Sequence, residues 1–241
     1  VTNMLSAEAN DRLVKVGKGT PMGELMRRYW HPVAAVVELD DRPTKSVRIL
    51  GENLVLYKDR SGTYGLIDRL CAHRRVDLSY GIPEDQGLRC MYHGWMYDER
   101  GQCIEQPFEE TVHPDGRFKE KVRLAAYPVE QLGGLLWAYM GPAPVPLLPR
   151  WDLFAYNNVF RVVGTTMLDC NWLQCQENSV DTVHTEYMHG HFGIYSLEHL
   201  GIDDPAVVSR FQRFVDRHHL RIDFKPAKYG IQKFRITKGQ D

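Results

Sequence analysis

The sequence predicts an α+β chain in two parts, an N-terminal all-β domain and a C-terminal part in which a helix precedes an antiparallel sheet. Three observations carry this. Between residues 33 and 139 short β-rich runs recur with turn residues between them. A segment Gly141-Pro142-Ala143-Pro144-Val145-Pro146, with Pro149 close behind, then interrupts the pattern, because proline removes backbone donors and fixes φ. Beyond it come one helical stretch and further strand-like runs. The expected divisions are a helical lead-in over 1–32, the all-β domain over 33–140, a linker over 141–150 and a second domain over 151–241.

Thr20 as N-cap, Pro21 at the first helical position and the spacing of Leu25, Met26 and Trp30 predict a short helix, stopped by His31-Pro32. Strands are expected over 33–39, 45–50, 53–58 and 63–67, with 59–62 supplying hairpin turn chemistry between the last two. Further strands are expected over 88–92, 95–98, 122–127 and 135–139. After the linker the pattern predicts a strand over 159–168 and a helix over 171–189, with Asp169 as its candidate cap. Strands over 207–216, 220–224 and 231–236 complete the chain. There is no internal repeat and no low-complexity tract.

With 241 residues, 43% hydrophobic and 25% charged, there is material for a sizeable core. A net charge of −1 implies no polycationic face for nucleic acid. No run approaches the ~18 apolar residues that span a bilayer, and the first ten residues lack the apolar stretch of a secretory signal. A cytoplasmic protein is expected, binding neither nucleic acid nor membrane. Five cysteines, an odd number, argue against a disulfide scaffold. Cys103, Cys170 and Cys175 show no ligand spacing and are expected as buried, inert thiols.

Cys71 and Cys90 are different. Cys71-Ala72-His73 and Cys90-Met91-Tyr92-His93 each offer a thiolate and an imidazole from a short segment. Two chemistries fit such a set: a tetrahedral zinc taking all four ligands, or a Rieske [2Fe–2S] cluster with both cysteines on one iron and both histidines on the other. Zinc knuckles usually pair like with like, whereas each segment here is mixed, which favours the cluster.

Cys71-Ala72-His73-Arg74 and Cys90-Met91-Tyr92-His93-Gly94-Trp95, followed by Tyr97-Asp98 and Gly101, resemble the Rieske motif of ring-hydroxylating oxygenases. Gly94 is expected to permit the tight turn after the ligand, Trp95 to shield the cluster, and Arg74 to be either a surface charge or part of the docking face for an electron donor. With two imidazoles replacing thiolates, such clusters have potentials of about −150 to +300 mV and relay single electrons.

A second constellation lies in the stretch from Glu177 to His189. Asn178, Asp181 and His184 step by three and would wind along one broad side of a helix. His184 and His189 differ by five, which puts them about 140° apart on a straight helix. The pair therefore asks for a helix that ends or distorts, and Gly190 offers a break. Two histidines and a carboxylate on one face make the facial triad of non-haem Fe(II) oxygenases. The pattern resembles the mononuclear-iron motif of the same family, which implies His184 and His189 as iron ligands, with His191 and His199 as nearby competitors. The resemblance further implies that Asp181 is no ligand but links His184 to a Rieske histidine, corresponding to His93, of a neighbouring subunit. Asn178 matches a polar residue near the iron, so Asp181 and Asn178 are the catalytic candidates. Glu186 is expected to face solvent or a subunit contact.

In that family the third iron ligand is a carboxylate far downstream. Asp203, Asp204, Asp216, Asp223 and Asp241 match no such context, so the chain is expected to be a fragment. Gly19-Thr20-Pro21-Met22-Gly23-Glu24-Leu25 and Tyr29-Trp30-His31-Pro32-Val33 look most like oxygenase (alpha) subunits of the phthalate 4,5-dioxygenase type. The resemblance implies a Rieske domain followed by a helix-grip catalytic domain, a homotrimer or larger ring, and electrons from NAD(P)H through a separate reductase. No flavin or nicotinamide motif occurs in the chain. The implied activity is hydroxylation of an aromatic, phthalate-like substrate with O2. Monooxygenation, O-demethylation and aryl-ether cleavage are the alternatives within the family, and a Rieske electron carrier is the alternative outside it.

Overall fold

The computed structural model describes residues 4–238; Val1 and Asp241 lie outside the described residues. The chain divides into two compact units, Val1–Thr166 and Met167–Asp241. Antiparallel sheets and separate helices occur in both, the α+β class expected.

In the first unit the elements are α1 (Ala7–Val14), α2 (Pro21–Met26), β1 (Trp30–Ala35), α3 (Glu38–Asp41), β2 (Thr44–Ile49), β3 (Glu52–Lys58), β4 (Tyr64–Asp68), β5 (Ile82–Glu84), β6 (Gly87–Arg89), β7 (Met96–Tyr97), β8 (Cys103–Glu105), α4 (Pro107–Val112), β9 (Ala126–Tyr127), β10 (Val129–Leu132), β11 (Leu135–Tyr139) and α5 (Asp152–Ala155). They build three antiparallel sheets, ordered β1-β11-β10, β2-β3-β4-β9 and β5-β6-β7-β8.

Strand β3 is the wall between two cores. The period of two sends Leu54 and Leu56 to one face, where they meet Ala34, Val47, Leu66 and Leu136. Val55 and Tyr57 face the other way, onto Ile67, Leu78, Leu88, Tyr97 and the cysteines Cys71, Cys90 and Cys103. All four β3 side chains are at most 1% exposed, each worth about 1.5–3 kcal/mol relative to exposure. The second core is the floor on which the cysteine–histidine segments stand.

Several sequence expectations change. Thr20 does cap α2, its Oγ1 accepting from Gly23 N–H at 3.2 Å, but the helix ends at Met26. Trp30, His31 and Pro32 open β1 instead of closing a helix. Proline is tolerated there because β1 lies at a sheet edge and is bulged between Pro32 and Ala34. The expected strand over 33–39 is cut short by α3. Strands β5, β8 and β10 were not anticipated; they are short and lack strong β-rich runs. The first unit also continues past the linker expected over 141–150. Phe154 of α5 packs edge-on against Trp137, ring centroids 5.2 Å apart, which ties this segment to the β10–β11 region.

The second unit contains α6 (Trp172–Val180), α7 (His184–Glu186), a π-helical turn (Tyr187–His191), α8 (Phe192–His199), α9 (Pro205–Val215) and the hairpin β12 (His219–Ala227) and β13 (Gly230–Thr237). The strand expected over 207–216 is helix α9. Asp204 caps it by accepting the Ala206 N–H at 2.8 Å, Pro205 takes the first position, and Val207, Val208, Phe211, Phe214 and Val215 recur at helical spacing. Its valines suggested β structure, and the cap outweighed them. Residues 159–168 form no strand among the described residues. Phe160, Val162 and Met167 are exposed there, and an extended run without a ladder partner gains nothing from its β propensity.

Candidate functional site

The first site is made of two matched loops. In the loop from Cys71 to Val76 the Cys71 N–H donates to Val76 C=O at 2.9 Å and the Arg75 N–H returns to Cys71 C=O at 2.9 Å. In the loop from Cys90 to Trp95 the Cys90 N–H donates to Trp95 C=O at 2.8 Å and the Gly94 N–H returns to Cys90 C=O at 3.1 Å. The fifth residue of each is left-handed, Arg75 at φ 58° and Gly94 at φ 75°. The first loop therefore holds a side chain where the second uses the glycine that such a turn favours.

Both cysteines are buried and both histidines exposed. The rings of His73 and His93 have centroids 4.6 Å apart, and Trp95 stacks on His73 at 4.7 Å and 13°. Trp95 thus lies against a histidine as a partial shield. Burial, and then the neighbouring Cys71 sulfur, push the Cys90 thiol up, while the backbone N–H groups of Tyr92 and His93 pull it down. Those two N–H groups are donors ready for a thiolate. Desolvation, with His93 and Arg74 beside it, lowers the His73 pKa, a shift towards the neutral form that ligates metal. The Tyr97 hydroxyl lies 3.2 Å from Cys71 Sγ and accepts the Ala72 N–H at 3.2 Å.

Arg89, just before Cys90, steadies the second loop. Its guanidinium donates to Gly94 C=O at 2.7 Å and is held by Glu84, in two bonds of 2.6 and 2.8 Å, and by Glu105 at 2.6 Å. This clamp across β5, β6 and β8 escaped the sequence reading, because the partners come from separate strands. Arg74 is exposed beside His73. Cys103 is buried as expected, and burial pushes its thiol up to about 12. Cys170 and Cys175 are not buried. Both are exposed, with sulfurs 3.7 Å apart, at the start of α6.

The second site begins where α6 ends. Asn171, not Asp169, caps this helix, its Oδ1 accepting from Leu173 and Gln174 N–H at 3.0 and 3.3 Å. Asn178 sits exposed on its last full turn. Asp181 leaves the helix with an extended backbone, so Asn178, Asp181 and His184 do not share one continuous helix. The Asp181 carboxylate takes over as a local acceptor: Oδ1 receives the Val183 N–H at 2.8 Å and Oδ2 lies 3.1 Å from His184 Nδ1. The Val183 N–H first, and then His184, hold its pKa below the usual carboxylate value. With Nδ1 engaged, the other ring nitrogen of His184 is left for a ligand.

The distortion that the five-residue spacing demanded is the π-turn. Its hydrogen bonds run from i+5 to i, as in Phe192 N–H to Tyr187 C=O, so residues five apart fall on one face. The rings of His184 and His189 come to 5.3 Å between centroids. Gly190 does not break the chain. A Cβ there would stand 2.9 Å from Val215, and one at Gly193 would stand 2.1 Å from the Phe211 ring. Gly190 lets α9 seat closely on the turn, and Gly193 lets it seat on the first turn of α8. His191 stacks on Tyr187 and His199 on Tyr195, away from the His184–His189 contact. Glu186, expected outside, is buried at 6% exposure against His218 and His219.

Among the described residues, no three His, Cys, Asp or Glu side chains gather as a single-ion centre would require. Two buried thiols ringed by N–H and O–H donors, below two exposed imidazoles, fit a two-iron cluster. His184 and His189 fit two positions of a facial iron site, with its carboxylate unsupplied by the described residues.

Residues 29–128 match the family model of the Rieske [2Fe-2S] domain. The chain is 52% identical, over 99% of its length, to the 5,5'-dehydrodivanillate O-demethylase oxygenase subunit of Sphingobium sp. (strain NBRC 103272 / SYK-6), covering 53% of that protein. It is 43% identical over 80% of its length to the tert-butanol monooxygenase / tert-amyl alcohol desaturase oxygenase subunit of Aquincola tertiaricarbonis, covering 40% of it. Against the phthalate 4,5-dioxygenase oxygenase subunit of Pseudomonas putida the figures are 38%, 77% and 42%. Residues 29–128 thus form a Rieske [2Fe-2S] domain, and the chain as a whole is similar to these oxygenase subunits. It spans about half the length of the curated relatives it matches.

Proposed function

We propose that this chain is part of the oxygenase component of a multicomponent Rieske oxygenase, with Cys71, His73, Cys90 and His93 holding the cluster and His184 and His189 holding a mononuclear iron. When bound, the cluster supplies single electrons and the iron supplies a site for O2. The chain's own residues orient and insulate these groups. Tyr97 and the backbone N–H groups at Tyr92 and His93 stabilise thiolate charge, and Trp95 covers one face of His73. Asp181 fixes the tautomer of His184 and offers the carboxylate that would join it to His93 of the partner subunit in a homotrimer or larger ring. Asn178 stands one turn before it as a polar neighbour of the iron. Electrons come from NAD(P)H through a separate reductase, and the protein works in the cytoplasm.

The observation that favours an oxygenase over a Rieske electron carrier is the His184–His189 pair, brought together edge-on by the π-turn with Asp181 on His184. Metal analysis of the full-length protein tests it. About three irons and two acid-labile sulfides per subunit are expected, whereas two irons with two sulfides would make it a carrier. Replacing Asp181 with Ala is expected to leave both metal contents unchanged and to reduce turnover by at least about 10-fold. Robust product formation by that variant would remove the bridging role.

O-demethylation of an aromatic methyl ether is favoured over dihydroxylation of a phthalate-like ring. The O-demethylase relative is more similar than the phthalate relative, 52% against 38% identity. Formaldehyde released in step with substrate consumption supports demethylation, and a dihydrodiol without formaldehyde supports dihydroxylation.

A further inference from the structure

A π-turn has poorer hydrogen-bond geometry than the α-helix the same residues would form, so a chain that keeps one is held to it from outside. Here the restraints come from one continuous stretch, residues 211–219, which touches the turn at both ends. At the C-terminal end Val215 and Phe211 of α9 fill the space over Gly190 and Gly193, and Phe214 lies 6.1 Å from the His189 ring. At the N-terminal end is Glu186, the residue immediately before the turn. Its Oε1 accepts from His218 Nδ1 at 2.7 Å, and its Oε2 lies 3.5 Å from His219 Nδ1. Burying a carboxylate is costly unless it is paired, so this side chain anchors the segment rather than decorating it. The His219 side chain is itself only 8% exposed.

We infer that Glu186 is a positioning residue for the His184–His189 pair. By docking the start of the π-turn on His218 and His219 it keeps the two imidazoles on one face. Without it, 184–191 is free to relax to an α-helix, in which a five-residue step separates the two histidines by about 140°. Glu186 does not touch the ion; it acts through the backbone that carries both rings. The inference rests on the reading of His184 and His189 as a metal-holding pair.

The test uses the full-length protein with its cluster in place and the mononuclear site emptied by a chelator, titrated with Co(II). Its ligand-field spectrum and Kd report on the site independently of turnover. Glu186→Ala is expected to weaken Co(II) binding by about 10–100-fold and to change the spectrum while the cluster's absorption stays as in wild type. Glu186→Gln, which keeps an acceptor oxygen for His218, is expected to recover much of that loss. A purely structural role would lower Tm and leave Kd unchanged, and wild-type Kd in Glu186→Ala overturns the inference. If Glu186→Ala does not fold, His218→Ala decides, because that side chain is 58% exposed and lies outside the core. A weakened Kd there supports the anchoring, and an unchanged one overturns it. His184→Ala separates the two levels: if it leaves Co(II) affinity intact, the reading of the histidine pair fails, whatever Glu186 does.

Discussion

The Tyr97 phenol is fully buried, with its oxygen 3.2 Å from Cys71 Sγ. A hydrogen bond to a thiolate takes up part of its negative charge and so favours the reduced cluster, which carries one more electron. Tyr97→Phe keeps the ring and removes only the donor. It is expected to lower the cluster's reduction potential by tens of millivolts, the equivalent of a hydrogen bond of about 1 kcal/mol at about 59 mV per tenfold change for one electron. Redox titration followed by electron paramagnetic resonance checks this, and an unchanged potential would mean that the hydroxyl does not act on the sulfur. Burial, and then the neighbouring Cys71 sulfur, push the Tyr97 pKa up, which favours the neutral phenol that can donate.

Two elements set the geometry of the sites. The first is the Arg89 clamp on the second cysteine–histidine loop. Arg89 holds the Glu84 carboxyl below its ordinary value of 4.5. A carboxylate with a depressed folded pKa contributes stability above its unfolded pKa, and that contribution is lost as pH falls through the folded value. Wild type and Glu84→Gln are therefore expected to differ by about 1 kcal/mol near pH 7, a modest figure because the pair is part exposed. Their urea midpoints should converge below about pH 4. A gap that persists in acid would assign the effect to packing instead of charge. The second element is the seat of α9 on the π-turn and the start of α8. Gly193→Ala places a methyl 2.1 Å from Phe211, and such overpacking is expected to cost about 1–3 kcal/mol in denaturant unfolding. No change would show that α9 can shift away freely.

At the scale of the molecule, the cysteine–histidine loops belong to the first unit and the His184–His189 pair to the second. The proposed function asks that a cluster and an iron from different subunits work together, and mixed assemblies test this. His93→Ala and Asp181→Asn are each expected to be inactive alone. Randomly mixed, they should recover about a quarter of wild-type turnover, since half the subunits keep Asp181 and half of those face an intact cluster. No recovery would mean that each subunit serves itself.

The sequence by itself determined what local chemistry decides. The paired cysteine–histidine segments at 71–73 and 90–93, the Thr20 cap, the hairpin turn at 59–62 and strands β2, β3, β4 and β11 were legible because neighbouring residues supply most of their energy, whereas the strand expected over 88–92 ends at Arg89, where the Cys90 loop begins. The Asp204-Pro205 signature of α9 was equally local and went unread beneath its valines. The rest belonged to the tertiary structure. The five-residue gap between His184 and His189 demanded a distortion without saying which. A π-turn was selected because α9 and the histidines His218 and His219 hold both of its ends. Glu186 looked like a surface acid because its partners lie more than thirty residues away. Residues 159–168 carried strand propensity but no ladder. Propensity proposes a conformation, and packing against distant partners decides whether it is kept.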